Sequence, residues 1–266
     1  MTMPPPTPSS SSLPRRDRVA VLAGLAGVTA LAWATLLAMA VDMRDMPDAA
    51  AMLQMRPWSG LDFLLMFGMW AVMMVGMMVP TAAPMVLIYA AVARKAARQG
   101  TPLAPTAVFV SGYLAMWCVF SVGATLAQWA LDRAALLSPM MVARTPGLGG
   151  GLLIAAGLYQ LTPFKDACLR HCRAPVSFIS ERWRPGIGGA FRMGLEHGAY
   201  CLGCCWVLMG LLFVGGVMNL LWIAAITGFV LLEKLLPRGA GGGRVAGGAM
   251  IAAGVAVLAT WWSAGG

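Results

Sequence analysis

The sequence Y-Q-L-T-P-F-K-D-A-C-L-R-H-C-R-A-P at residues 159–175, followed by G-L-E-H-G-A-Y-C-L-G-C-C-W-V-L-M at 194–209, determines how the chain is organised. Five of the six cysteines and both histidines lie in this region. The first part carries a C-x-x-H-C cluster just after an apolar segment. The second carries H-x-x-x-C-x-x-C-C at the start of the next one. Sulfur and imidazole groups gathered at two adjoining helix ends are the ligands that a thiophilic metal ion requires.

The composition around this region is that of a membrane protein. Of the 266 residues, 59% are hydrophobic and 11% are charged, whereas a soluble domain carries about 25% charged residues. Several apolar stretches approach or exceed the roughly 20 helical residues that cross a bilayer. The sequence therefore predicts an all-α, polytopic bundle of transmembrane helices. The net charge of +9 does not indicate nucleic acid binding, because the basic residues are placed as membrane topology requires.

The apolar stretches predict about seven spans, within a range of six to eight. Residues 1–18 are rich in Pro and Ser and predict a disordered cytoplasmic tail. Residues 19–266 form a single helical domain, with its motifs in residues 60–237. The Gly-rich fourth span predicts close helix packing. The predicted spans lie near 19–41, 61–92, 105–131, 148–161, 194–215, 219–235 and 245–263.

The basic residues orient these spans. With the N-terminus in the cytoplasm, 15 of the 19 Lys and Arg residues fall on cytoplasmic segments, as the positive-inside rule requires. Both Cys/His clusters then lie at the cytoplasmic face, where thiols stay reduced. Glu233 is expected to pair with Lys234 or with an arginine of the basic link 162–192.

The cysteine and histidine spacing predicts a metal site. His197, Cys201 and Cys204 project from one helix face within about 60°, and Cys205 lies further round the same side. The first cluster can fold back and add ligands to a four-coordinate site. Cys118 stands alone in the third span and is interpreted as a packing residue. The predicted ligands are Cys168, His171, Cys172, His197, Cys201, Cys204 and Cys205.

Methionines in the second span indicate which metal binds. Met66, Met69, Met73 and Met77 follow helical spacing, and thioethers select Cu(I), although methionine also fills helix interfaces. The sequence therefore favours Cu(I), with Zn(II) as the second choice. Pro80 and Pro84 are expected to kink or break this helix. Weaker predicted ligands are Met73, Met77, Met78 and Met85.

Two other functions remain open. The Cys201/Cys204 pair could serve a membrane thiol–disulfide oxidoreductase, and the cysteines could instead pack inside a structural subunit of a membrane complex. The sequence contains neither a G-x-x-x-x-G-K-[ST] nucleotide loop nor support for a Ser/His/Asp catalytic set. These observations favour a binding protein over an enzyme.

Five motifs together resemble a bacterial family of predicted metal-binding integral membrane proteins, a domain of unknown function. The resemblance covers about residues 60–237. It implies location in the bacterial inner membrane and metal binding, with no assigned reaction. We therefore expect a role in metal acquisition, transfer or transport, with the lipid bilayer and a metal-donor or metal-acceptor protein as partners and no nucleic acid. The motifs occupy residues 69–85, 157–175, 194–209, 216–222 and 233–237.

Overall fold

A computed structural model of the chain describes residues 13–45, 57–100, 104–138, 141–236 and 241–263. Within these ranges the regular structure is helical, apart from an isolated β-bridge between Leu137 and Ala143. The prediction of an all-α protein is therefore confirmed. The helices are α1 (Arg15–Asp45), α2 (Gly60–Arg98), α3 (Thr106–Arg133), α4 (Pro146–Gln160), α5 (Pro163–Arg173), α6 (Pro175–Arg182), α7 (Gly186–Gly210), α8 (Leu212–Gly215), α9 (Leu220–Leu235) and α10 (Gly241–Ser263).

Polar side chains cap several helix starts. Ser59 and Asp62 form a reciprocal capping box at α2. Thr145 precedes Pro146 at α4, and Thr162 precedes Pro163 at α5, each hydroxyl accepting a backbone N–H of the first turn. A threonine cap followed by proline suits a helix start, because the first backbone donors have no partner inside the helix.

In the part of the chain that the structure describes, five helical segments are long and apolar enough to cross a membrane: 15–43, 60–98, 106–133, 186–215 and 242–263. The fourth and sixth predicted spans correspond to α4 and α9, with 15 and 16 residues. Both are shorter than the roughly 20 residues of a full crossing. The predicted count of seven spans is therefore not confirmed, and neither is the orientation of the N-terminus. Helix α1 begins at Arg15, inside the range predicted as a tail, and residues 1–12 lie outside the described residues.

The link 162–192 is largely helical. It contains α5, α6 and the start of α7, which begins eight residues before the predicted fifth span. Its Lys165 side chain is buried and forms an ion pair with Glu233 at 2.6 Å. Arg173 also donates to the backbone carbonyl of Glu233. The expected pairing of Glu233 with Lys234 is wrong, because Lys234 donates its hydrogen bonds elsewhere.

Helix α2 continues through Pro80 and Pro84 without a break. Proline at position 80 removes the N–H that would bond to the carbonyl of Gly76. That carbonyl accepts a hydrogen bond from the Trp33 indole of α1 at 3.2 Å. A side chain of the neighbouring helix therefore replaces the missing backbone donor, as a carbonyl shielded from water requires.

Glycines allow α4 and α10 to approach with backbone against backbone. A Cβ added at Gly157 would lie 2.6 Å from the carbonyl oxygen of Gly247, and one added at Gly254 would lie 2.7 Å from that of Gly150. Small residues at such positions are typical of membrane helix pairs. The close packing predicted for the fourth span is confirmed.

A second glycine contact fixes α7, the helix that carries three of the six cysteines. A Cβ at Gly112 of α3 would overlap the carbonyl oxygen of Phe191, and one at Gly194 of α7 would overlap that of Phe109. Neither helix can add a methyl group here without moving apart. The crossing therefore sets the depth and rotation of the cysteines relative to α3.

We expect Gly194→Ala to lower the free energy of unfolding by about 1–3 kcal/mol or more, the usual cost of overpacking. Gly188→Ala in the same helix is the matched control. Its Cβ would enter open space, so it should be neutral or stabilising by up to about 1 kcal/mol. Thermal unfolding in detergent measures both, and equal midpoints for the two variants would contradict the crossing described above.

Candidate metal centre

The sulfur of Cys201 lies at a junction of helices α2, α3, α7 and α9. The Tyr113 hydroxyl of α3 lies 3.1 Å from it. The Lys234 ammonium of α9 donates to it at 2.9 Å and to the Thr81 hydroxyl of α2 at 2.8 Å. All four residues are buried. A buried sulfur in contact with two polar side chains from other helices is not a simple packing residue.

Cys204 and Cys205 lie one turn after Cys201 and are buried with it. Each thiol is 3.0 Å from the Cys201 carbonyl oxygen, to which it donates a hydrogen bond. This follows from helix geometry, because a thiol can reach the carbonyl three or four residues earlier. The three cysteines therefore lie on one side of α7, as predicted, with two sulfurs directed to the backbone.

Helix α5 brings a fourth cysteine to this group. The pKa of the Cys172 thiol is raised well above its ordinary value, first by its interaction with Cys201 and next by its interaction with Cys204. Cys168 lies one turn earlier on α5, against the backbone of α7 at Gly203. Burial raises the pKa of the Cys168 thiol. We refer to Cys172, Cys201, Cys204 and Cys205 as the Cys201 cluster.

The two histidines have different surroundings. His197 is buried one turn before Cys201, between the rings of Phe109, Tyr113 and Phe178. Its Nδ1 has no hydrogen-bond partner in the described part of the chain, so this nitrogen has no competing contact there. His171 instead stacks on Tyr200 at 4.0 Å, and its Nδ1 lies 2.9 Å from the Ala167 carbonyl oxygen.

The predicted ligands do not form a ready coordination sphere. Among the residues that the structure describes, no group of three or more His, Cys, Asp or Glu side chains is arranged to hold a metal ion. The hydrogen bonds of the thiols explain this. Cys204 and Cys205 donate to a backbone carbonyl, and the Lys234 ammonium donates to the sulfur of Cys201. Thiol rotation about the Cα–Cβ bond and displacement of one ammonium would be needed for the sulfurs to converge.

The four predicted methionine ligands lie on α2, and all of them are buried in the hydrophobic core of the protein. Met78 contributes its backbone carbonyl, which accepts hydrogen bonds from Tyr113 at 3.1 Å and from Thr81 at 2.9 Å. Through these contacts the methionine-rich helix is linked to Cys201. The predicted methionines are Met73, Met77, Met78 and Met85.

Lys234, Tyr113 and Thr81 are the polar residues of this centre that sequence reasoning missed. Lys234 lies at the end of an apolar segment, and an ionisable residue in such a segment indicates a functional position. That signal was present in the sequence. Tyr113 and Thr81 have no comparable signal, because their contacts with Cys201 and Lys234 depend on how α2 and α3 pack.

The fold and this centre define a class: a helical protein with membrane-length apolar helices and a buried cysteine sulfur in contact with polar side chains of two other helices. Residues 67–257, more than half of the chain, match the PpoB2 copper chaperone family, so the chain belongs to that family. The match includes every predicted ligand and supports a copper-related function. No curated protein and no solved structure matches at a significant level.

Proposed function

We propose that this protein is a membrane-embedded copper chaperone that binds Cu(I) at the Cys201 cluster, near the cytoplasmic face, and transfers it to a partner protein. One observation carries the proposal. The sulfur of Cys201 is buried at a junction of four helices, within hydrogen-bond distance of Lys234 and Tyr113 and next to the Cys172 thiol. Family membership supports copper as the cargo.

The ligand chemistry favours Cu(I) over Zn(II). The candidate ligands are thiols, one imidazole with a bare nitrogen at His197, and the thioethers of α2. Thiolate and thioether ligands select Cu(I) among the biological metals. Zinc is bound by Cys, His and carboxylate ligands rather than by thioethers, so the methionines of α2 favour copper.

The hydrogen bonds of the thiols suit reversible binding. Because the Cys172 pKa is raised, metal binding at this sulfur must displace a proton, and affinity for Cu(I) should rise with pH. Cys201, Cys204 and Cys205 make ordinary hydrogen bonds that compete with metal binding. These bonds can form again as the metal passes to a partner. A chaperone requires this, since it must release its cargo.

We expect the full-length protein, purified in mild detergent under reducing and anaerobic conditions, to bind Cu(I) tightly and in preference to Zn(II). A variant with Cys201, Cys204 and Cys205 changed to serine should lose binding at this cluster. Elemental analysis after dialysis measures both. Equal copper content in the two proteins would refute the Cys201 cluster as a site, and no copper in either would refute the function.

A thiol–disulfide oxidoreductase is the second candidate, favoured by the contact of Cys172 with Cys201 and Cys204. Burial argues against it, because Cys201, Cys204 and Cys205 are at most 2% exposed and a protein disulfide needs access to the attacking sulfur. A mixed disulfide trapped at Cys201 in a Cys204→Ser variant would favour this candidate over copper transfer.

A further inference from the structure

Two methionine sulfurs converge on one buried amide group, in a part of the core that contains none of the cysteines. The Nε2 group of Gln128 in α3 donates to the sulfur of Met66 in α2 at 3.5 Å and to that of Met141 at 3.2 Å. Its Oε1 accepts from the Trp70 indole at 2.7 Å. Since the indole can only donate, this bond fixes the oxygen toward Trp70 and the amide nitrogen toward the sulfurs.

The environment of this amide is unusual. Gln128 is 2% exposed, and buried amides ordinarily donate to oxygen. In the described part of the chain, both hydrogen-bond acceptors of its Nε2 are thioethers, which are weak acceptors. The sulfurs of Met66 and Met141 therefore face the same Nε2 group of Gln128, and they accept only weak hydrogen bonds from it.

The position of Met141 is fixed by its loop. Met141 has a positive φ of 55°, a conformation that costs about 1 kcal/mol or more outside glycine. Its N–H donates to the Ser138 carbonyl at 2.8 Å, and the N–H of Ala143 donates to the Phe213 carbonyl at 2.8 Å. These bonds hold the loop against α8, so the surrounding structure maintains the strained residue with its sulfur at Gln128.

We propose that Met66 and Met141 form a second soft-metal site, for Cu(I), with Gln128 holding the two sulfurs in place when no metal is bound. Thioethers select Cu(I) over harder ions. They carry no proton, so metal binding here needs no deprotonation, in contrast to the Cys201 cluster. Bound Cu(I) takes the place of the amide N–H groups between the sulfurs.

The placement of this site connects it to the Cys201 cluster. Met66 precedes Met78 by about 18 Å of helix, or roughly 12 residues at 1.5 Å each. Met69, Met73 and Met77 lie between them on one face of α2 and are buried. The existence of the Met66/Met141 site does not depend on the proposed function. Its role in copper transfer does rest on that function, because the methionines of α2 link the site to the Cys201 cluster.

The test is the number of Cu(I) ions bound by the full-length protein in detergent, titrated anaerobically. We expect about two equivalents for wild type and about one for the Met66→Leu/Met141→Leu variant. Leucine is close to methionine in volume, so the fold should persist. The triple serine variant of Cys201, Cys204 and Cys205 should retain the other equivalent. Met250→Leu in α10 is the matched control and should bind two.

The pH dependence separates the two sites. The equivalent held in the triple serine variant should bind with the same affinity between about pH 5 and 8, while the equivalent held in the double leucine variant weakens as pH falls. Two equivalents in the double leucine variant would overturn the inference. One equivalent in wild type that is lost in the triple serine variant would overturn the inference and leave the proposed function intact, whereas none in any protein would overturn both.

Discussion

Replacing Cys201 with serine is expected to lower the affinity for Cu(I) about 100-fold or more. Zinc sites gain about 10–16 kcal/mol from four ligands, so one sulfur contributes roughly 3 kcal/mol, or about 100-fold. Cys201 should matter most because its sulfur contacts Cys172, Tyr113 and Lys234. A serine hydroxyl can retain the hydrogen bonds to Tyr113 and Lys234 but is a poor ligand for a soft ion.

Competition titration with a Cu(I) chelator measures this affinity. Cys118→Ser is the matched control, because Cys118 lies exposed on α3, outside the Cys201 cluster, and its loss should leave affinity unchanged. Cys168→Ser should lower the affinity for Cu(I) by less than Cys201→Ser does and by more than Cys118→Ser does, since Cys168 packs on α7 one turn from Cys172. Equal affinities for the Cys201 and Cys118 variants would exclude Cys201 as a ligand.

Much of the fold could be predicted from the sequence because the signals are local. Long apolar stretches predict long helices, and glycine-rich stretches predict close helix contacts, as the pairing of Gly157 with Gly247 confirms. A kink or a break was expected at Pro80, and helix α2 continues through it without a break. Whether a proline breaks a helix depends on a replacement donor, here Trp33, which lies 43 residues before Gly76, whose carbonyl it reaches.

The helices of the link 162–192 were missed although their start signals are present. Thr162 followed by Pro163 is a helix start, and α5 begins there. This segment was described from its sequence only as a basic link between two spans. Its apolar residues nevertheless pack inward, with Cys168, Leu169 and Phe178 buried, so its charged side chains other than the buried Lys165 lie on the outer faces of short helices.

The candidate ligands were predictable as a set but not as an arrangement. Residue spacing places Cys201, Cys204 and Cys205 on one side of a helix, and the structure agrees. Side-chain rotation follows tertiary contacts, so the different contacts of His171 and His197 and the turn of two thiols toward the backbone had no sequence signal. Glu233 was expected to pair with Lys234 or with an arginine of the link 162–192, but consecutive helical residues do not face each other, and its carboxylate pairs with Lys165 of the link.

Replacing Lys234 with methionine should have the opposite effect to the loss of Cys201 and raise the affinity for Cu(I). The ammonium donates to Cys201 at 2.9 Å, where an incoming Cu(I) would also bind. Two positive charges 4 Å apart repel by about 4 kcal/mol at an effective dielectric constant of 20. Because the lysine can move partly away, we expect a gain of about 10- to 100-fold rather than the full amount.

The fold should tolerate this change, because methionine has a similar length and Thr81 retains its bond to the Met78 carbonyl. Lys234→Arg keeps the positive charge and is the matched control, with affinity expected to stay near or below that of wild type. The same chelator titration compares the variants with wild type. If Lys234→Met binds Cu(I) more weakly than wild type, the ammonium supports the metal-binding form of Cys201 instead of competing with the ion. A gain shared by Lys234→Met and Lys234→Leu, which adds no thioether ligand, and absent from Lys234→Arg would make Lys234 the residue that keeps the cluster from holding its cargo too tightly, which a protein that must transfer copper requires.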